Sequence, residues 1–166
     1  MTPRGQGLID ARTVPPVHQL VVAVQCSLER ASRAVVAALT QRGFVAREDD
    51  SFAVTHARPQ AHLVRRILAA DPRHLCIVTV TDDSALIEMP IAFLVMASHG
   101  GITVRCNDPA VTFAAYTGLA AFGEELSATC QRVLRAVIRE CASASASSND
   151  SPPPLALRIE PSQTFI

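Results

Sequence analysis

The order of apolar and polar residues predicts a strand followed at once by a helix near the start of the chain. Residues 18–26 (HQLVVAVQC) are apolar and rich in β-branched side chains over the length of one strand. Ser27 is a favourable N-cap, and apolar residues then recur at helical spacing from Leu28 to Leu39. Gly43 is a typical C-terminal cap, so we expect the helix to end there.

The stretch that follows carries weaker signals. Residues 44–47 and 52–55 are short apolar segments on either side of an acidic turn, and they predict two brief strands. Pro59 suits the first turn of a helix, and apolar residues at helical spacing then predict a short helix that reaches about Ala70.

A third group of elements is predicted in the middle of the chain. Residues 74–81 (HLCIVTVT) have the composition of a strand, and residues 85–89 predict a single helical turn before Pro90. Residues 91–97 (IAFLVMA) and 102–106 (ITVRC) flank the turn sequence Ser-His-Gly-Gly, and together they predict a β-hairpin.

The clearest helical periodicity begins at Phe122. Its apolar stripe consists of Leu126, Cys130, Val133, Leu134, Val137, Ile138 and Cys141. Residues 1–17 are expected to be flexible, and residues 142–166 (rich in Ser, Ala and Pro) to be a disordered low-complexity tail. We therefore expect a single α+β domain at 18–141, with a mostly antiparallel sheet and helices packed on one face. Its expected order is strand, helix, two short strands, short helix, strand, hairpin and helix.

One predicted strand is apolar on both of its faces. Ile91, Phe93 and Val95 alternate with Ala92, Leu94 and Met96, so neither set is polar. One layer of helices covers only one face of a sheet, and the other face must meet a partner subunit, a ligand or the chain's own N-terminal segment. We expect these residues to form a homodimer interface, with a pocket for a small apolar ligand or a surface for a partner protein as the competing interpretation.

Charge and composition narrow the class of partner. The 166 residues are 49% apolar, enough for a core without disulfides, and 15 basic residues balance 15 acidic ones. This balance argues against binding nucleic acid or an anionic membrane. The chain contains no lysine, which excludes a lysine nucleophile. Its apolar runs are too short to span a bilayer and no signal peptide is recognisable, so we expect a cytoplasmic location with reduced cysteines.

Cys26 is the best candidate for a nucleophile. It directly precedes Ser27, and its sulfur would then lie near the positive end of the helix dipole, where a thiolate is stabilised. The alternative is that Cys26 is a small buried apolar residue, as free cysteines commonly are. The other four thiols are expected in the core: Cys76, Cys106, Cys130 and Cys141.

Other chemical groups give weaker signals. The five histidines (His18, His56, His62, His74 and His99) have none of the spacings that place two imidazoles on one face of an element, so we expect no metal site and no cofactor.

A local basic cluster is a candidate anion site, although a solvated face explains it equally well. Its members are Arg65, Arg66, Arg73 and His74. The acidic residues Asp82, Asp83 and Glu88 flank a predicted strand exit, where carboxylates can do acid–base work or bind a hard cation. Turn and capping roles are expected instead for Asp82 and Asp83.

The order of these motifs resembles a bacterial family known as domain of unknown function 302. The resemblance covers about residues 18–141 and consists of short motifs: the strand Val21–Val24, Gly43-Phe44, Met89-Pro90-Ile91, Gly100-Gly101 and Asp108-Pro109. Ile91 stands where the family commonly has Cys, so any chemistry of that thiol would be lost here. The resemblance implies a dimeric α+β domain with no assigned activity.

Three functional hypotheses follow. The first is a non-enzymatic homodimeric domain that binds a small apolar ligand or a partner protein around residues 91–96, because no convergent catalytic set is present. The second is a cysteine-dependent redox factor or thiol enzyme acting through Cys26. The third is an adaptor whose C-terminal tail, ending Gln163-Thr164-Phe165-Ile166, adds to a groove of a partner protein.

Overall fold

A five-stranded sheet forms the centre of the protein. The computed structural model describes residues 18–49, 64–98 and 100–147. The strands are β1 (Gln19–Val24), β2 (Val45–Glu48), β3 (Val64–Ala70), β4 (Ile91–Ser98) and β5 (Gly101–Asn107). Their order across the sheet is β1-β5-β4-β3-β2, and every neighbouring pair is antiparallel. The predicted α+β class with an antiparallel sheet is therefore confirmed.

The helices occupy the loops and one face of this sheet. They are α1 (Leu28–Thr40), α2 (Pro72–Thr81), a 3₁₀ helix (Asp83–Glu88), α3 (Pro109–Ala114) and α4 (Ala120–Ser147). The two longest, α1 and α4, pack against each other and against the sheet. The N-cap predicted for α1 is confirmed, because the Ser27 side chain accepts a hydrogen bond from the backbone N–H of Arg30 at 3.2 Å.

Alternation along the strands gives the sheet an inner and an outer face. The inner face packs under α1 and α4, and it carries the buried residues Val24, Ile67, Ala69, Ile91, Phe93, Val95, Ile102, Val104 and Cys106. We use the term outer face for the residues that alternate with them. These are Gln19, Val21 and Ala23 of β1, Arg66 and Leu68 of β3, Ala92, Leu94 and Met96 of β4, and Thr103, Arg105 and Asn107 of β5.

The helix predicted to end near Ala70 was wrong where the structure describes it. Val64–Ala70 is strand β3, which pairs with β2 on one side and with β4 on the other. Ile67 and Ala69 are fully buried while Leu68 between them is not, which is the period of a strand. Hydrogen bonds to two neighbouring strands satisfy the backbone N–H and C=O groups of this segment. They outweigh the helical spacing of its apolar residues. The strand predicted at 52–55 lies outside the described residues.

The strand predicted at 74–81 was also wrong, because this segment is helix α2. Asp71 is its N-cap and accepts a hydrogen bond from the backbone N–H of Arg73 at 2.9 Å, while Pro72 occupies the first turn. Val78 is the one buried residue of α2, and Val80 is 78% exposed. The helix start signals at Asp71 and Pro72 therefore outweigh the β-branched composition of this segment, which favours a strand.

Replacing Asp71 is expected to destabilise the domain. Its carboxylate is buried and also accepts a hydrogen bond from Arg73 Nη2 at 2.7 Å, and this contact is the main reason that the pKa of Asp71 lies below its ordinary value of 3.8. We expect Asp71→Ala to lower the free energy of unfolding by about 1–2 kcal/mol, from the lost cap. Asp71→Asn keeps a cap and loses only the charge.

The sign of the pH dependence follows from the lowered pKa of Asp71. Its charged form stabilises the folded state at any pH above 3.8, and this contribution is lost as the pH falls through the lower folded pKa. Urea unfolding of wild type and Asp71→Asn between pH 7 and pH 2 should therefore converge at the acidic end. A constant difference across that range would contradict the assignment.

The predicted β-hairpin is confirmed. Ser98 of β4 pairs with Gly101 of β5, and Gly101 has a φ of 129°, a conformation that side chains with a Cβ rarely adopt. The helical turn predicted at 85–89 is also confirmed as part of the 3₁₀ helix. His99, in the turn between the strands, lies outside the described residues.

The helix predicted from Phe122 is confirmed as α4, which runs on to Ser147. The segment expected to be disordered was placed at 142–166, and its first residues are helical here, while 148–166 and 1–17 lie outside the described residues. No helix in the described ranges has both the length and the apolarity needed to cross a bilayer.

Candidate functional site

A cavity of about 350 Å³ lies where β4 begins and β5 ends. The outer face forms one of its walls, and the 3₁₀ helix and α3 contribute to its rim. It is lined by Gln19, Arg66, Ile87, Glu88, Pro90, Ile91, Ala92, Leu94, Arg105, Cys106, Asn107, Pro109, Thr112 and Phe113. Most small-molecule sites combine an apolar wall with a few polar groups in this way.

Two guanidinium groups flank the apolar wall of this cavity. Leu94 of β4 pairs with Arg66 of β3 on one side and with Arg105 of β5 on the other. Directly paired residues on antiparallel strands lie side by side on the same face. The register of the sheet therefore places one arginine on each side of Leu94.

The two arginines differ in their bonding. Arg66 Nη1 lies 3.5 Å from Asp49 Oδ2. Arg105 Nη2 donates to the thioether of Met96 at 2.7 Å, and Arg105 Nε is buried without a hydrogen-bond partner among the described residues. A thioether is a weak acceptor, and a buried guanidinium N–H without a partner is unusual in a folded protein. Arg105 thus retains the capacity to donate to an anionic group.

The carboxylates near the cavity are already engaged. Glu88 Oε1 accepts the hydroxyl of Tyr116 at 2.8 Å, and this hydrogen bond raises the pKa of Tyr116. Asp82 caps the 3₁₀ helix through Ser84 and accepts the backbone N–H of Thr117 at 3.1 Å. The hydrogen bond from the Ser84 hydroxyl is the main cause that lowers the pKa of Asp82. The capping role expected for Asp82 is confirmed.

The basic cluster predicted as an anion site is divided among several carboxylates. Arg65 lies 3.4 Å from Glu48, and Arg73 lies 2.7 Å from Asp71. Arg65 and Arg66 are consecutive on β3 and therefore point to opposite faces. The His74 ring packs edge to face on Phe44 and Phe122, with centroid separations of 5.3 and 5.4 Å. An external anion would compete with these contacts, and of the predicted set only Arg66 reaches the cavity.

The residues predicted as a ligand or dimer face divide between the two faces of β4. Phe93 and Val95 are fully buried on the inner face, and they belong to the core instead. Ile91 is also buried, although it borders the cavity. Leu94 and Met96 lie on the outer face and are partly exposed.

The structure brings Cys26 next to a thiol that sequence reasoning placed only in the core. Cys26 is half-buried, directly before α1, and its Sγ lies 2.6 Å from Sγ of Cys141 on α4. Cys106 and Cys130 are buried as predicted, and the Cys106 thiol raises the pKa of Cys130. Cys76 was expected in the core, but it is exposed because α2 is a helix.

A second surface feature that the sequence did not single out is a basic hollow of about 500 Å³ on α4. It is lined by Arg42, Arg132, Arg135, Ile138 and Arg139. In the described ranges no three His, Cys, Asp or Glu side chains converge as a metal site. His56 and His62 lie outside those ranges.

The five-stranded sheet with its helical layer has a counterpart among solved structures. The fold is similar to that of a DUF302 protein. One match is the crystal structure of uncharacterized conserved protein DUF302 from Bacillus stearothermophilus, with a TM-score of 0.60 and 12% sequence identity. It covers 74% of this chain and 97% of that chain. No protein-family model matches the sequence, and the curated proteins contain no significant match to it.

The DUF302 similarity confirms the resemblance expected from the sequence as a likeness of fold. At 12% identity it carries no site residue from one protein to the other. What the cavity and the thiols do must therefore be argued from this chain's own geometry.

Proposed function

We propose that this domain binds a small molecule with an apolar body and a carboxylate in the cavity at the start of β4. The observation that carries the proposal is Arg105, whose buried Nε has no hydrogen-bond partner among the described residues and whose Nη2 donates to a thioether. A ligand carboxylate accepts two parallel hydrogen bonds from one guanidinium, which would replace this weak arrangement by a charge-assisted one.

The shape and lining of the cavity support a ligand of this kind. Its volume of about 350 Å³ is within the usual range for small-molecule sites. Ala92, Leu94 and Pro90 supply apolar surface for the body of the ligand, while Arg105 lies beside Leu94 at one side. Glu88 is held by the Tyr116 hydroxyl, so its carboxylate has a partner other than Arg105.

The proposed activity is binding and not catalysis. Among the described residues that line the cavity, no nucleophile is hydrogen-bonded to a base. Thr112 donates its hydroxyl to the backbone oxygen of Asp108 at 3.0 Å, and Glu88 accepts from a tyrosine. A nucleophile needs a base within hydrogen-bond reach to be activated.

Octanoate is a suitable probe, because it joins a carboxylate to a flexible apolar chain. We expect it to shift the backbone NMR signals of Ala92, Leu94 and Arg105 in the wild-type protein. Arg105→Gln should weaken octanoate binding roughly tenfold or more, since a hydrogen bond to a charged group contributes about 1.5–3 kcal/mol. Isothermal titration of both proteins measures the difference.

Two controls make the octanoate experiment specific. Arg135→Gln removes one guanidinium from the basic hollow on α4 and should leave octanoate affinity unchanged. Octanol has the same chain length without the charge and should distinguish wild type from Arg105→Gln poorly. Equal octanoate affinity of wild type and Arg105→Gln, or shifts centred on α4, would refute the proposal.

The homodimer remains a prediction for the same surface. Val21 is 54% exposed on β1, and Leu94 and Met96 are partly exposed on β4, so a second copy stacked on the outer face would bury all three. Native mass spectrometry separates the two occupants, because a retained small molecule adds mass to a monomer whereas stacking doubles it. A dimer that dissociates on Leu94→Arg would assign the outer face to self-association.

A further inference from the structure

Two thiols that are distant in the sequence meet at one end of α4. Cys26 follows β1 directly, Cys141 lies near the end of α4, and their sulfurs are 2.6 Å apart. A disulfide bond measures about 2.05 Å, so closing it would shorten this separation by about half an ångström. The two side chains thus already point at each other in the reduced protein.

We propose that Cys26 and Cys141 are a redox-active pair that closes to an intramolecular disulfide by exchange with a low-molecular-weight disulfide. This modification is independent of the proposed ligand site, because neither residue lines that cavity. The bond between Cys26 and Cys141 would then form or break according to the ratio of small thiols to small disulfides around the protein.

Exposure assigns the two sulfurs different roles. Cys26 is half-buried and is the one that a small disulfide can reach, whereas Cys141 is 2% exposed. Burial, followed by the contact with Cys26, raises the pKa of Cys141 to about 12. Cys141 therefore keeps its proton at neutral pH, and the more accessible Cys26 is the attacking group.

The exchange balances in two steps. The Cys26 thiolate attacks one sulfur of the small disulfide, which breaks that S–S bond, releases one small thiolate and leaves a mixed disulfide on Cys26. Cys141 then gives its proton to that small thiolate and attacks the Cys26 sulfur, which expels the second small thiolate. This second thiolate takes up the proton that Cys26 released to water when it ionised. The protein loses two electrons and two protons, and one small disulfide becomes two thiols.

The surroundings of the pair are charged. Arg30 of α1 donates from Nη2 to the backbone oxygen of Glu140 at 3.0 Å and to its carboxylate at 3.2 Å. The nearby Arg30 charge acts to lower the pKa of Cys141 and that of Glu140 acts to raise it. Arg30 Nε is buried without a hydrogen-bond partner in the described part of the chain, and the Arg30 charge favours the thiolate form of Cys141.

The test is thiol counting on the full-length native protein after equilibration with oxidised glutathione. The counting uses Cys76→Ser, because glutathione would also modify the exposed Cys76. Two of its four thiols should be lost to alkylation, the intact mass should fall by two hydrogen atoms, and peptide mapping should link Cys26 to Cys141. Cys141→Ser should instead accumulate glutathione on Cys26, and Cys26→Ser should leave Cys141 without an adduct. Four alkylatable thiols in oxidised Cys76→Ser would overturn the proposal.

The remaining cysteines are internal controls. Cys76 is exposed and has no thiol partner in any described contact, so Cys76→Ser should leave the 26–141 link unchanged. Cys106 and Cys130 are also adjacent, but both are buried and should stay reduced while the protein is folded. A link between Cys106 and Cys130, or random links among all five, would mean oxidation through unfolding and would overturn a native exchange. Circular dichroism on each variant confirms that it is folded before thiols are counted.

Discussion

Phe93→Ala is expected to lower the free energy of unfolding by about 3–5 kcal/mol, measured by urea denaturation. Phe93 is fully buried on the inner face of β4, the central strand of the sheet. Removing its ring leaves a cavity whose neighbours on β3 and β5, Ile67 and Cys106, are held in place by their own ladders. The surrounding core therefore cannot close the space without breaking other contacts.

The adjacent residue provides the control for Phe93. Leu94 is next to it on β4 but lies on the outer face and is partly exposed, so Leu94→Ala should cost only about 1 kcal/mol. The same change should weaken octanoate binding, because Leu94 lines the proposed site. Equal destabilisation by both substitutions would mean that another part of the chain covers the outer face as fully as the helices cover the inner one.

Oxidation of the Cys26–Cys141 pair should raise the free energy of unfolding by about 4 kcal/mol. The bond would join residues that are 115 positions apart and so restrict most of the domain in the unfolded state. Closing a loop of about this length removes roughly 4–5 kcal/mol of chain entropy from the unfolded ensemble. Guanidinium denaturation of the fully oxidised and the fully reduced protein measures this gain.

The comparison needs a variant that cannot close the loop. Cys26→Ser has the other four thiols and should unfold at the same denaturant concentration with or without glutathione. A gain of similar size in this variant would assign the stabilisation to some other pair of cysteines. If oxidation does not raise the free energy of unfolding of the wild type, forming the disulfide must strain the folded protein by as much as it stabilises it.

Much of the fold could be predicted where local signals and tertiary packing agree. Helix α1 has a serine N-cap and an apolar stripe that the core buries, and the β4–β5 hairpin has the turn residues that its register needs. Helix α4 carries the longest stripe and was predicted for that reason. In each of these elements the sequence pattern and the burial give the same periodicity.

The exchange of helix and strand between 64 and 81 shows where local signals fail. In β3 the apolar residues fit either period, and only its two strand neighbours decide between them. In α2 the β-branched residues favour a strand, but Asp71 and Pro72 begin a helix whose outer side stays exposed. Greater weight on the capping pair would have corrected α2 from the sequence alone.

The candidate site was only partly accessible to sequence reasoning. The hairpin turn pairs residue 98 with residue 101. Counting away from the turn along both strands then places Arg105 opposite Leu94. That signal was present in the sequence. The contact of Cys26 with Cys141 had no such signal, since it depends on how α4 lies against the end of β1 and the start of α1.

The strand order has a consequence for synthesis on the ribosome. Among the described strands, β1 lies at an edge of the sheet, and its neighbour is β5, the last of the five in the sequence. Until Asn107 has left the exit tunnel, the first apolar strand has no ladder to join, while β2, β3 and β4 can already pair with one another. The nascent chain therefore carries an unpaired valine-rich segment until β5 emerges, a period in which a chaperone or a premature contact can act on it.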